Sequence, residues 1–142
     1  MVFLAETMAD CIFCKIAKGD IPSTKVYEDK DVLAFLDIAP VHKGHTLVIP
    51  KQHFETIIDT PDEVITRVMH SVKKIAAAVE KAVNADGFNI FINNRRHAGQ
   101  AVDHVHVHIV PRHQGDGFKH WPQGKYAEGE AEQVKAKIAK FL

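Results

Sequence analysis

A chain of 142 residues is long enough for one ordinary domain with its own core and short for two. Apolar residues make up 46% and charged residues 25%, with 18 Lys and Arg balancing 18 Asp and Glu. That balance excludes a disordered polyelectrolyte and a chain that coats nucleic acid by charge alone, so no nucleic-acid partner is expected. The apolar runs, such as Leu47-Val48-Ile49 and the His-broken stretch from Val105 to Val110, fall far below the roughly 18–20 residues that cross a bilayer, and no membrane partner is expected either. Met1 to Ala5 lack the basic n-region and the length of a secretory signal, which makes the cytoplasm the expected location. Met8 offers a second start, so residues 1–8 read as an N-terminal extension and residues 9–142 as a single domain.

Asp10 and the following residues to Gly19 read as a short capped helix that stops at a glycine able to take positive φ. Residues 25–27 and 32–36 flank the polar Glu28-Asp29-Lys30-Asp31 and predict a β-hairpin. Residues 45–49 predict a third strand, stopped by Pro50. Thr60-Pro61-Asp62-Glu63 is a helix start in which Thr60 caps, Pro61 takes the first helical position and Glu63 completes a capping box. The stripe Val64, Ile65, Val68, Met69, Val72, Ile75, Ala76, Val79 and Val83 recurs at three and four, with Met69 as core filler and His70 at the edge, and Asp86-Gly87 closes it. Residues 87–93 are β-rich, residues 94–100 form a loop, and a last strand covers about residues 103–111. Residues 115–129 read as an ordered loop that buries Phe118 and Trp121, after which Val134, Ile138 and Leu142 resume a helical pattern. The order predicts an α+β domain: an antiparallel five-stranded sheet with one long helix and short terminal helices, able to dimerise through the long helix or a sheet edge.

Ten histidines and only two cysteines, three residues apart, point to a site. In a reducing compartment the Cys11-x-x-Cys14 spacing is a metal half-site or a redox pair more often than a disulfide. In a strand, His104, His106 and His108 fall on one face by the period of two, about 6.6 Å apart, while Val105, Val107 and Ile109 turn to the core. Three readings follow: a solvated strand face, a metal site, or an imidazole that attacks phosphorus while its neighbours neutralise the phosphoryl oxygens. Asn93, Gly99 and Gln100 supply uncharged donors and a close-approach glycine suited to phosphate. Asp37 stands at a strand end where it can accept from ribose hydroxyls, and His45 adds an imidazole. That collection favours phosphoryl or nucleotidyl transfer.

The alternating triad followed by Ile109-Val110, with Gly99-Gln100 upstream, resembles the histidine triad (HIT) family in its bacterial Hit and Hint-like branch. Cys11-Ile12-Phe13-Cys14-Lys15-Ile16, Ile21-Pro22, residues 33–38, residues 44–51 and Asn93 resemble the family in order and spacing, so the match covers nearly the whole chain. The resemblance implies an enzyme that cleaves purine nucleoside phosphoramidates, AMP conjugates among them, or dinucleoside polyphosphates. His106 would be the nucleophile that forms a nucleotidyl-histidine, with His108 and His45 binding or polarising the phosphate. Asn93 and the backbone N–H groups near Gly99 and Gln100 would complete the cradle, Asp37 would take the ribose, and Phe13 and Ile38 would sandwich the purine. It also implies a homodimer and a structural zinc held by Cys11, Cys14, His53 and His104. Ala101 stands where the Hint-like branch carries a serine, Pro111-Arg112 is similar to the bacterial and Fhit-like pattern, and His120-Trp121-Pro122 resembles a loop that reaches the partner's site. A nucleotide-binding sensor with little turnover and a zinc hydrolase that uses the triad as ligands are the competing readings.

Overall fold

The protein is described from a computed structural model covering residues 10–142, and the expected extension over residues 1–8 lies outside the described residues. Five strands, β1 (Lys25–Glu28), β2 (Val32–Leu36), β3 (Thr46–Pro50), β4 (Gly87–Phe91) and β5 (Val107–Arg112), form one antiparallel sheet in the order β1-β2-β3-β5-β4. Three helices accompany it: α1 (Ile12–Lys18), α2 (Asp62–Ala82) and α3 (Glu130–Ala139). The expected α+β class and five-stranded sheet are therefore present.

Strand alternation sorts the side chains into two layers. Val32, Ala34, Val48, Val107 and Ile109 meet the stripe Val68, Val72, Ile75, Ala76 and Val79 of α2 on one face. Leu33, Phe35, Leu47 and Ile49 meet Phe13, Cys14 and Ile16 of α1 on the other. Covering both faces explains why β2 and β3 read as near-continuous apolar runs rather than alternating ones. Each fully buried side chain of this kind contributes about 1.5–3 kcal/mol. His106 and His108 alternate with Val107 and Ile109 and therefore point to the α1 side, where the cleft lies.

Several boundaries differ from the sequence pattern for physical reasons. Cys11, not Asp10, caps α1, its Sγ accepting the Cys14 N–H at 3.4 Å, and Gly19 ends that helix at φ 84°. Pro61 occupies the cap of α2 without a side-chain bond, because the Thr60 hydroxyl donates instead to the Thr56 carbonyl at 2.7 Å. The last strand starts at Val107 rather than near residue 103, since the Val105 N–H donates to Phe54 O at 2.7 Å, outside the sheet ladder. Met69 lies exposed at the edge of the α2 stripe. Trp121 is 83% exposed and Phe118 is half exposed beside His42 and the Arg112 guanidinium, so the expected burial of that loop's aromatics is not found. Among the described residues no helix is long and apolar enough to cross a membrane.

Candidate active site and metal centre

Between α1, the ends of β2 and β3 and the start of β5 lies a cleft of about 250 Å3. Phe13, Ile16, Phe35, Leu36, Leu47 and Val102 give it apolar walls, and Asp37, His106 and His108 are its ionisable lining. Phe13 meets the His106 ring edge to face with centroids 5.1 Å apart and braces Phe35 at 5.4 Å. Ile38, at 99% exposure, stands on the rim opposite that buried wall. The expected residues Phe13, Asp37, Ile38, His106 and His108 are thus brought together, and His45 lies directly behind His108.

The tautomer of each imidazole follows from its partner. His106 Nδ1 lies 2.6 Å from the His104 carbonyl, which only accepts, so Nδ1 carries the proton and Nε2 keeps its lone pair. His45 Nδ1 accepts the Val41 N–H at 3.1 Å, which puts the His45 proton on Nε2, 2.9 Å from His108 Nδ1. His108 consequently carries its proton on Nε2, a buried atom with no partner among the described residues. Asp37 Oδ2 lies 3.6 Å from His45 Nε2, while its Oδ1 accepts the Ala39 N–H at 2.9 Å. Burial pushes the rings of His45 and His106 below their ordinary range. His108 falls to about 4, through burial first and then the neighbouring His106 and His45. All three are neutral at pH 7. A buried row of neutral rings differs from the solvated face that the sequence alone left open.

The third triad member departs from the row. His104 is fully buried, donates from Nε2 to the Pro50 carbonyl at 2.8 Å, and turns Nδ1 toward Cys11 Sγ at 3.5 Å and Cys14 Sγ at 3.6 Å. His53 Nδ1 lies 3.3 Å from Cys14 Sγ, and the four donor atoms all fall within 4.8 Å of one another. A tetrahedral ion about 2.3 Å from sulfur and about 2.05 Å from nitrogen sets S and N about 3.5 Å apart, the spacing found here. Two thiols and two imidazoles, with the His104 tautomer already fixed for ligation, fit zinc. Burial pushes the Cys14 thiol up to about 11 and His104 down to about 4. The triad therefore divides between two sites, which removes the arrangement in which all three rings share one catalytic ion. Asp37, His45 and His108 also converge, but the facing His45 and His108 nitrogens satisfy each other.

The residues expected to cradle phosphate stand beside the cleft and are bonded to one another and to the backbone. Asn93 Nδ2 donates to Gly99 O at 3.3 Å, and neither residue lines the cleft. The Gly99 and Gln100 N–H groups already donate to the carbonyls of Arg96 and Arg95. Gln100 is buried, its Oε1 accepting the Arg95 N–H at 2.7 Å and its Nε2 donating to Glu55 O at 2.6 Å. Its side-chain amide clamps the loop. The clamp holds Arg95 at φ 74° and ψ 158°, a conformation that costs a side-chain-bearing residue about 1–3 kcal/mol.

Further residues around the site were not among those expected there. Phe91 stacks on His108 at 4.6 Å because the β4–β5 register pairs them, and Val41 acts through its backbone N–H. The Ser23 hydroxyl is buried against the cleft without a partner among the described residues. Arg112 grips both Asp116 oxygens at 2.7 and 2.9 Å, holding that carboxyl well below the usual range, and Asp116 also meets His42 at 3.2 Å on the loop that presents Val41.

A family model for the HIT domain matches residues 18–115. A crystal structure of a HIT family member from Bacillus subtilis superposes with a TM-score of 0.87 at 48% identity, covering 94% of this chain and 97% of that one. A Zn-bound histidine triad family protein from Mycobacterium smegmatis gives a TM-score of 0.75 at 38% identity over 94% of this chain and 96% of its own. The adenosine 5'-monophosphoramidase hnt1 of Schizosaccharomyces pombe is 50% identical over 102 residues, 72% of this chain and 74% of the yeast protein. The chain belongs to the HIT domain family.

The clamp makes one direct prediction. Gln100→Ala leaves the Arg95 N–H and the Glu55 carbonyl unpaired and lowers unfolding stability by about 1–3 kcal/mol in urea titration; a change under about 0.5 kcal/mol would contradict the clamp.

Proposed function

We propose that this protein is a nucleotide hydrolase or nucleotidyl transferase that cleaves purine nucleoside phosphoramidates or dinucleoside polyphosphates through a covalent nucleotidyl-histidine on His106. The observation that carries this reading is the 2.6 Å contact between His106 Nδ1 and the His104 carbonyl, which commits one ring nitrogen and leaves the other bare in the cleft. Homology to an adenosine 5'-monophosphoramidase supports the substrate class.

The purine enters between Phe13 and Ile38, and Asp37 accepts from the ribose hydroxyls. His106 Nε2 then attacks the α-phosphorus, a P–Nε2 bond forms and the bond to the leaving group breaks with its electron pair on that group. An amine leaving group takes a proton from water. The ring becomes an imidazolium, and the His104 carbonyl at 2.6 Å stabilises the charge that develops. His108 Nε2–H, held in that tautomer by His45, donates to the phosphoryl oxygen. Water then attacks phosphorus, forming a P–O bond and releasing a proton to solvent that restores the one taken by the amine, while the P–Nε2 bond breaks with its electron pair returning to His106 and the nucleoside monophosphate leaves. Depressed imidazole basicity suits this role, since the nucleophile needs no base to unmask it at pH 7.

Zinc bound by Cys11, Cys14, His53 and His104 would supply structural cross-linking rather than an activated water, for His104 is the residue whose carbonyl holds the nucleophile. The two free, buried thiols suit a reducing cytoplasm. A homodimer is supported by Phe88 and Ile90 on edge strand β4, each 39% exposed.

His106→Asn is expected to fold and to lose turnover of adenosine phosphoramidate by at least about a thousandfold, while acid-quenched wild type carries one nucleotidyl group on His106 by mass spectrometry. Robust turnover by the variant overturns the covalent reading, and binding without cleavage by the wild type makes the protein a nucleotide sensor instead. Protein prepared without chelator is expected to hold about one zinc per chain and Cys14→Ser far less, read by elemental analysis; under half an equivalent in the wild type would exclude the structural metal.

A further inference from the structure

We infer that Arg95 and Arg96 form a leaving-group subsite that favours anionic leaving groups, the polyphosphate chain of a dinucleotide over an uncharged amine. This deepens the nucleotidyl-transfer reading above and rests on it.

The sheet order fixes where a leaving group goes. The base pocket lies between α1 and β2, His106 and His108 stand on β5, and β4 is the next strand beyond β5. A substrate with its base at β2 and its phosphorus at His106 therefore extends its other half toward β4. Phe91, the last residue of β4, stacks on His108, and the loop over residues 94–100 begins three residues later. Its far end returns to the cleft at Ala101, which lines the wall. The loop thus runs from the β4 side of His108 to the wall of the cleft.

That loop presents three consecutive cationic or ionisable side chains, Arg95, Arg96 and His97, all exposed. Among the described residues neither guanidinium has a carboxylate within ion-pair distance, whereas the other two arginines, Arg67 and Arg112, each have one. The loop is also held rigidly. Arg95 keeps its left-handed φ of 74° because Gln100 receives its N–H and its carbonyl receives the N–H groups of Ala98 and Gln100. The turn is further tied down at Asn94, whose Oδ1 accepts the Ile57 N–H at 2.8 Å. Unpaired guanidiniums on a fixed loop bind a phosphate chain without first losing a partner or ordering the backbone. The step balances without a proton donor: the bridging P–O bond breaks, its electron pair stays on the departing phosphate oxygen, and the arginines meet that charge. An uncharged amine gains nothing from them.

The test compares diadenosine tetraphosphate with adenosine phosphoramidate, which share the adenylyl half. In Arg96→Gln and in Arg95→Gly/Arg96→Gln, the ratio of the two kcat/KM values is expected to fall, by about tenfold in the double variant, with Arg96→Lys keeping most of it. Glycine adopts the Arg95 backbone freely, and Arg96→Gln alters an exposed side chain, so phosphoramidate turnover reports folding in the same preparations. Wild-type preference for the tetraphosphate should also weaken as salt rises. A ratio that stays within twofold, or one that Arg96→Lys lowers as much as Arg96→Gln, overturns this inference alone. Failure of the wild type to turn over either substrate overturns the nucleotidyl-transfer reading and this inference with it.

Discussion

One hydrogen bond, from His106 Nδ1 to the His104 carbonyl at 2.6 Å, organises the rest of the site. It fixes which nitrogen of the central imidazole is free, and it sets the partial negative charge of a carbonyl against the Nδ1 edge of the ring. The same residue that offers the carbonyl turns its ring the opposite way, into the cysteine cluster, and donates to Pro50 at the end of β3. His104 is therefore held from two sides, and the position of its carbonyl follows from the cysteine cluster and the sheet.

Around that bond the electrostatics are arranged by burial. The walls of the cleft are apolar, so the charged form of every nearby imidazole is disfavoured and the rings sit neutral. A chain of directed donors then assigns the protons: Val41 to His45, His45 to His108, and His108 outward. No fixed cation lies among the cleft's lining residues, and the positive charge of the neighbourhood is displaced to the loop beyond β4. That separation keeps fixed cations away from the neutral rings of the cleft.

Much of this was legible in the sequence, and the exceptions have physical causes. Alternation over residues 104–108 gave the shared orientation of His106 and His108, because strand pleating has a fixed period. It also put His104 on that side, where its ring meets Phe13 and faces Cys11 and Cys14, although the ladder itself begins only at Val107. The stripe of α2 was readable from its spacing, whereas its cap was not, because Thr60 has two backbone partners to choose between and takes Thr56 O. Gln100 has the chemistry of a phosphate donor, and only its burial against Arg95 and Glu55 reveals a clamp. Phe91 became part of the site through strand register, which no local pattern encodes.

The central claim is that hydrogen-bond partners set the protonation site of each imidazole, and long-range 15N–1H NMR of the histidine rings at pH 7 tests it most directly. The account predicts His106 as the Nδ1–H form, with His45 and His108 as Nε2–H forms. A His106 ring protonated on Nε2, or one averaging between the two forms, would contradict it.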